Sequence, residues 1–136
     1  TGSAGEIGHM TIELQGPLCS CGKRGCLEAL AGALAIVAEA QQGTSRALTE
    51  GQGTSSAHAQ LEMIDVGQVA RAAQAGDLAC KKALEHAGVY IGIALASLMS
   101  ALNPSLILLD GSIMRAGALL LEPIRLSVAA YSLPSL

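Results

Sequence analysis

Apolar residues recur along this chain in three rhythms. Near the start, Met10, Ile12 and Leu14 alternate with Thr11 and Glu13, the two-residue period of a short strand. From Cys26 the step lengthens. Leu27, Leu30, Leu34 and Val37 return every three or four residues, which predicts a helix with one apolar face, fading at Gln41-Gln42-Gly43. Residues 43–60 are rich in Gly, Ser, Thr and Gln, lack any period and read as a surface loop. Asp65, with Gln68 three positions on, forms a capping-box pattern that opens a short helix ending at Ala75-Gly76. Asp77 caps the next helix, which is long and apolar and runs to Leu102. Asn103-Pro104 stops it, because proline cannot continue the hydrogen-bond ladder. Leu106-Ile107-Leu108-Leu109 is a continuous apolar run, as expected of a strand buried on both faces of a parallel sheet. A last helix is expected over roughly Ala116 to Ala130. Strand, helices, strand, helix is an α/β order, and no internal repeat interrupts it.

Composition sharpens this picture. The 136 residues are 51% hydrophobic and 14% charged, enough for one domain with a real core and too apolar for disorder over most of its length. Two tyrosines are the whole aromatic content, so the core is built from Ala, Leu, Ile, Val and Met. The formal net charge is −3 and the eight basic residues are scattered, a poor surface for direct nucleic-acid contact. Ala87 to Leu109 carries no charged side chain and approaches the length of a membrane span. Yet Asn103-Pro104 interrupts it, Gly88, Gly92, Ser97 and Ser100 dilute it, and no basic anchors flank it. A buried helix running into a buried strand is expected, and no membrane span. The chain opens at Thr1 without an initiator Met and ends just after a helical pattern, so it reads as part of a larger protein.

The candidate chemistry lies near the start. His9 is followed by Cys19, Cys21 and Cys26, with Gly22 and Gly25 between the last two. Three thiolates and an imidazole make a complete tetrahedral set for zinc, with no position left for water, so such a site is structural and the chemistry lies beside the metal. Two disulfides are the competing explanation. Cys19 and Cys21 are too near for easy mutual pairing, and Cys80 sits far off in an apolar helical pattern, where it reads as a small buried hydrophobe.

The string Ala4-Gly5-Glu6-Ile7-Gly8-His9, then Gly16-Pro17-x-Cys19-x-Cys21-Gly22-x-x-Gly25-Cys26-Leu27-Glu28, resembles the signature of the ROK family (repressor, open reading frame, kinase). The Gly76-Asp77 helix break, the long Ala-rich helix and Leu102-Asn103-Pro104 extend the resemblance over most of the chain. It implies the second half of an actin-like ATPase (ribonuclease H-like) fold, the amino-terminal half being absent, with a zinc-stabilised loop. It implies zinc on His9, Cys19, Cys21 and Cys26, and Glu6, His9 and Glu28 reaching the hydroxyls of a bound monosaccharide, a hexose or N-acetylhexosamine. Carboxylates suit that task, because each accepts two hydroxyl hydrogens. His9 is able to ligate metal through one ring nitrogen and present the other to the sugar.

The family holds both sugar kinases and sugar-responsive repressors. A kinase needs an Asp-x-Gly-x-Thr phosphate loop and a catalytic aspartate, both from the absent half; Asp65-Val66-Gly67-Gln68-Val69 mimics the loop by letters only. The segment alone is therefore expected to be inactive, with ATP and magnesium relevant only to a kinase parent. In the family's kinases a glycine run after the last strand admits adenosine. Here the loop reads Asp110-Gly111-Ser112, leaving Gly111 and Ser112 as weak nucleotide-binding candidates and a charge at 110 that disfavours phosphate. The expectation is a cytoplasmic regulator's sugar-binding effector domain, with half of a hexose kinase as the alternative. Family members usually pair, so a homo-oligomer is a further expectation.

Overall fold

In a computed structural model of the chain, residue 2, residues 5–50 and residues 65–133 are described. Five α-helices carry the architecture: α1 (Leu27–Ala31), α2 (Ala33–Thr49), α3 (Val66–Gln74), α4 (Leu78–Leu102) and α5 (Ala118–Tyr131). Two 3₁₀ turns, Ile7–His9 and Ser112–Ala116, complete the regular structure among the described residues. Helix α4 is the axis, and α1, α2, α3 and α5 all pack against it. The core joins Ile36, Val37 and Ala40 of α2 to Val69, Ala70 and Ala73 of α3, Cys80, Ala83, Leu84 and Ala87 of α4, and Leu120 and Ile124 of α5.

The helix boundaries follow from local chemistry. Asp65 accepts from the Gln68 backbone N–H at 2.8 Å while the Gln68 side chain accepts from the Asp65 N–H at 3.2 Å, the reciprocal box read from the sequence. Asp77 caps α4 by accepting from the Cys80 N–H at 2.8 Å. Asn103 ends α4 in the left-handed conformation at φ 44°, and its N–H donates to the Met99 carbonyl at 2.9 Å.

With no Phe or Trp to fill space, α4 and α5 meet almost backbone to backbone. A Cβ on Gly92 would stand 2.5 Å from Ser127 Cβ, and one on Gly88 would stand 2.8 Å from the Pro123 ring. The Ser127 hydroxyl donates to the Val89 carbonyl at 2.8 Å, which satisfies the polar group buried in this seam. Among the described residues α4 is long and apolar enough to cross a bilayer. That apolar character has a packing cause: Gly88, Gly92, Ala94 and Ala96 are all buried.

Several sequence expectations give way here. The helix from Cys26 is two helices, broken at Gly32, whose ψ of 162° is extended. The break re-phases the buried face onto Ile36, Val37, Ala40 and Thr44, and leaves Leu34 85% exposed. Helix α2 then continues to Thr49 instead of ending at Gly43. Its polar residues conceal a buried face. Thr44 is buried with its hydroxyl donating to the Ala40 carbonyl at 3.0 Å, and a Cβ on Gly43 would lie 2.9 Å from that of Ala79. Residues 51–60 of the expected loop lie outside the described residues.

Neither expected strand forms a ladder, so the α/β class is not realised among the described residues, which are mostly helical. Residues 10–14 make only one isolated bridge, Thr11 with Cys26, and a second joins Leu18 to Arg24 within the cysteine loop. Ile12 and Glu13 both donate to the one Gly25 carbonyl, at 2.8 and 3.2 Å, a turn-like arrangement that alternation alone does not reveal. Leu106 and Leu108, buried in the pattern the sequence predicts, are 71% and 82% exposed. A strand is stabilised by its neighbours, and no described segment runs beside this one. The last helix is preceded by the Ser112–Ala116 3₁₀ turn and begins at Ala118, after Gly117 at φ 58°.

Candidate metal centre and ligand site

Residues 5–26 form a compact loop resting on α1. The Ile7–His9 turn is closed by His9 N–H to the Glu6 carbonyl at 3.0 Å, and Leu27 N–H to the Met10 carbonyl at 2.9 Å ties the turn to the start of α1. Within the cysteine loop, Cys19 N–H donates to the Lys23 carbonyl at 2.7 Å and Gly22 N–H to the Cys19 carbonyl at 2.9 Å. Gly25 is the hinge of the construction. Its φ is +65°, its N–H reaches the Pro17 carbonyl at 2.8 Å, and any side chain there would fall on the Glu13 carbonyl. Gly16 is required for the same contact: its Cβ would stand 2.7 Å from Gly25 Cα.

This backbone brings the four expected ligands together. One donor atom from each of His9, Cys19, Cys21 and Cys26 lies within 4.8 Å of all the others. Cys19 Sγ is 3.6 Å from His9 Nδ1, and Cys21 Sγ is 3.6 Å from Cys26 Sγ. Donor atoms of a tetrahedral zinc site stand about 3.5–3.8 Å apart, given Zn–S of about 2.3 Å and Zn–N of about 2.0 Å. Cys19 and Cys26 are buried and Cys21 is exposed, and none of the three is in a disulfide. The donor set therefore fits a metal ion on chemistry and on spacing.

The thiols are unlike one another electrostatically. The pKa of Cys19 is lowered to about 6, first by the backbone N–H of Cys21 and further by the polar side chains of Cys21, Ser20 and His9 beside it. Cys26 is pushed up to about 11 by burial and by the neighbouring thiols. Cys80 takes no part in the cluster; burial and Asp77 raise its thiol well above the usual range, in keeping with a core role.

His9 is the pivot of the site. With Nδ1 turned to Cys19, its Nε2 faces two carboxylates, Glu6 Oε2 at 4.0 Å and Glu28 Oε2 at 3.9 Å. Glu6 stands just before the 3₁₀ turn and Glu28 in the first turn of α1, and both are more than half exposed. The three residues expected to meet a sugar thus share one edge of the imidazole, on the side away from the thiols. Sequence reasoning missed Ser20, whose hydroxyl donates to Glu28 Oε1 at 3.3 Å. Its place between two cysteines of the candidate cluster was the available signal. It also missed Tyr90 of α4, which donates to Glu13 Oε2 at 3.3 Å and ties the loop to the bundle.

Gly111 and Ser112 lie elsewhere, in an exposed loop where the Gly111 N–H is taken by the Asp110 side chain at 2.7 Å. A groove of about 640 Å³ between α2 and the start of α4 is lined by Glu39, Arg46, Asp77, Lys82 and His86 among others. None of the cysteine-loop residues borders it, and the His86–Glu39 pair within it is exposed.

Known proteins match at both levels. The ROK family model covers residues 1–135. The chain is 38% identical over 136 residues to a glucokinase of Halalkalibacterium halodurans, covering 98% of this chain and 40% of that protein. A solved ROK family transcriptional regulator, a homologue of the E. coli MLC protein, superposes with a TM-score of 0.79 at 34% identity, covering 94% of this chain and 31% of that one. A ROK glucokinase from Streptomyces griseus, solved with glucose and AMPPNP, gives 0.76 at 30% identity, covering 94% and 41%. The chain thus spans from about a third to two fifths of these relatives' length, and it has fold neighbours among both the regulators and the kinases. A motif carried by His9, Cys19, Cys21 and Cys26, their convergence in space and a match over nearly every residue place this chain in the ROK family.

Proposed function

We propose that the chain is the sugar-binding part of a ROK-type, sugar-responsive transcriptional regulator, held in shape by a structural zinc ion. The observation that carries this reading is the two-sided placement of His9, with Nδ1 among the thiols and Nε2 between Glu6 and Glu28. A sugar hydroxyl donates to each carboxylate, and the Nε2–H of a histidine ligated through Nδ1 donates to a sugar oxygen. Zinc would supply only charge and tetrahedral geometry, holding the thiolates of Cys19, Cys21 and Cys26 and fixing the backbone on which Glu6 and Glu28 stand. Glucose bound in the S. griseus glucokinase supports a monosaccharide as the ligand class.

The regulator reading rests on the loop after the apolar run. The Asp110 carboxylate disfavours nearby phosphates, and it already accepts from the Gly111 N–H. DNA contact would belong to a helix-turn-helix elsewhere in the parent protein, since the eight basic residues here form no cluster. A cytoplasmic location and self-association belong to the same proposal. The second reading, half of an ATP-dependent hexose kinase, is favoured by the 38% identity to a glucokinase. In that case Gly111 and Ser112 line the nucleotide cleft and ATP with magnesium is required.

The full-length protein tests both. Calorimetry with D-glucose, N-acetyl-D-glucosamine and D-xylose measures sugar binding, and a coupled assay with ATP and magnesium measures phosphorylation. Binding without turnover, together with sugar-dependent release of DNA, supports the regulator; turnover with ATP overturns it in favour of the kinase.

A further inference from the structure

Glu28 has two oxygens with different surroundings. Oε2 faces His9 Nε2 at 3.9 Å, on the side assigned to the sugar. Oε1 accepts from the Ser20 hydroxyl at 3.3 Å, and that hydroxyl also lies 3.8 Å from Cys19 Sγ. Ser20 stands between two cysteines of the cluster, so both of its peptide neighbours are fixed whenever the donor set closes. Gly8 borders the other side of the carboxylate. A Cβ there would lie 3.5 Å from Glu28 Oε2, and the Glu28 side chain is half exposed.

We infer that Ser20 is a positioning residue: it holds Glu28 Oε1 against the cysteine loop so that Oε2 is presented to the sugar. The inference deepens the sugar-site reading and rests on it. A glutamate on an exposed first turn has three side-chain torsions to order on binding, and a hydroxyl donor on one oxygen removes part of that cost beforehand. The hydroxyl is the one side-chain link among the described hydrogen bonds between the cysteine loop and this acid. It therefore also makes the orientation of Glu28 depend on closure of the loop, and couples metal occupancy to sugar affinity.

The test uses the full-length protein and its Ser20→Ala, Ser20→Thr, Glu28→Gln and Ser20→Ala/Glu28→Gln variants, titrated with D-glucose, N-acetyl-D-glucosamine and D-xylose. Zinc content is measured on each sample. Ser20→Ala is expected to keep its full zinc and lose roughly threefold to tenfold in affinity, the scale of one hydrogen bond to an exposed charge. Ser20→Thr, which keeps the hydroxyl, is expected to restore binding. In the Glu28→Gln background, removing Ser20 is expected to cost less than it does alone, since the partner has lost its charge. Wild-type affinity in Ser20→Ala alongside a weakened Glu28→Gln overturns the role of Ser20 and leaves the site standing. Loss of zinc in Ser20→Ala, or an undiminished cost in the Glu28→Gln background, also overturns it. If Glu28→Gln binds sugar as the wild type does, or no sugar in the panel binds, the site reading itself falls and this inference falls with it.

Discussion

Two glycines of the cysteine loop offer a matched experiment. Both have positive φ, +65° at Gly25 and +85° at Gly22, so alanine is strained at either position by about 1–2 kcal/mol. Their surroundings differ. Nothing lies within 4 Å of a Cβ at Gly22, whereas a Cβ at Gly25 falls on the Glu13 carbonyl. Relieving that clash requires Gly25 to move, and three hydrogen bonds depend on its place: its N–H to Pro17 at 2.8 Å, and its carbonyl with Ile12 at 2.8 Å and Glu13 at 3.2 Å. At about 1 kcal/mol net each, their loss adds about 3 kcal/mol to the strain. Gly25→Ala should therefore weaken zinc binding by about 4–5 kcal/mol, roughly a thousandfold or more, and Gly22→Ala by only about tenfold. Competition against a chromophoric chelator reads both affinities, and far-UV circular dichroism checks that helices α2 to α5 persist. Equal losses in the two variants, or a Gly25→Ala protein with wild-type zinc affinity, would refute the reasoning.

Gly92→Ala drives a methyl to 2.5 Å from Ser127 Cβ, so overpacking outweighs the gain in helix propensity and the protein should lose about 1–2 kcal/mol by urea unfolding; an unchanged midpoint contradicts the close α4–α5 seam. Asp65→Ala removes a reciprocal cap and should cost about 1 kcal/mol in the same measurement, with Asp65→Asn recovering most of it. Glu6→Gln and Glu28→Gln should each weaken sugar binding by about 1–3 kcal/mol without changing zinc content, and calorimetry giving wild-type affinity in both removes them from the site. In zinc-stripped protein at pH 7, alkylation followed by peptide mapping should label Cys19, held to about 6, ahead of Cys26 and Cys80, both raised by burial; uniform labelling contradicts the thiol electrostatics.

What could be read from the sequence was what lies close along the chain. The Asp65–Gln68 box spans four residues, and the candidate metal donors span His9 to Cys26, so local spacing nearly determines their meeting. The errors arise where the outcome depends on distant neighbours. Leu106 to Leu109 has the pattern of a strand, but a strand exists only with a partner edge, and no described segment supplies one. Gly43 and Thr44 look like loop residues by composition. They are helical because their small size lets α2 lie against Ala79 of α4, a contact between positions more than thirty apart in sequence. Glu28 was visible as an acid two residues after a candidate metal ligand, but the direction of each of its oxygens was not, because that depends on Ser20 and His9 reaching it from other turns.

Among residues 5–26 the buried positions are Gly16, Cys19, Gly25 and Cys26. Two of these have no side chain, and the other two are members of the donor cluster. This loop therefore has no apolar core of its own. Its order rests on backbone hydrogen bonds, on the tie from Tyr90 to Glu13 and on whatever the cluster of thiols and imidazole binds. The helices stand differently, with Leu84, Leu120, Ile36 and Val69 fully buried in a continuous core. Metal loss should accordingly leave the bundle folded while loosening the loop, a local event and not global unfolding. Glu6, His9 and Glu28 all stand on or beside that loop, so sugar affinity should follow metal occupancy while helix content does not. A full loss of helical signal on chelation would show that the core does not stand alone, and unchanged sugar affinity in the zinc-free protein would show that the acids do not depend on the loop.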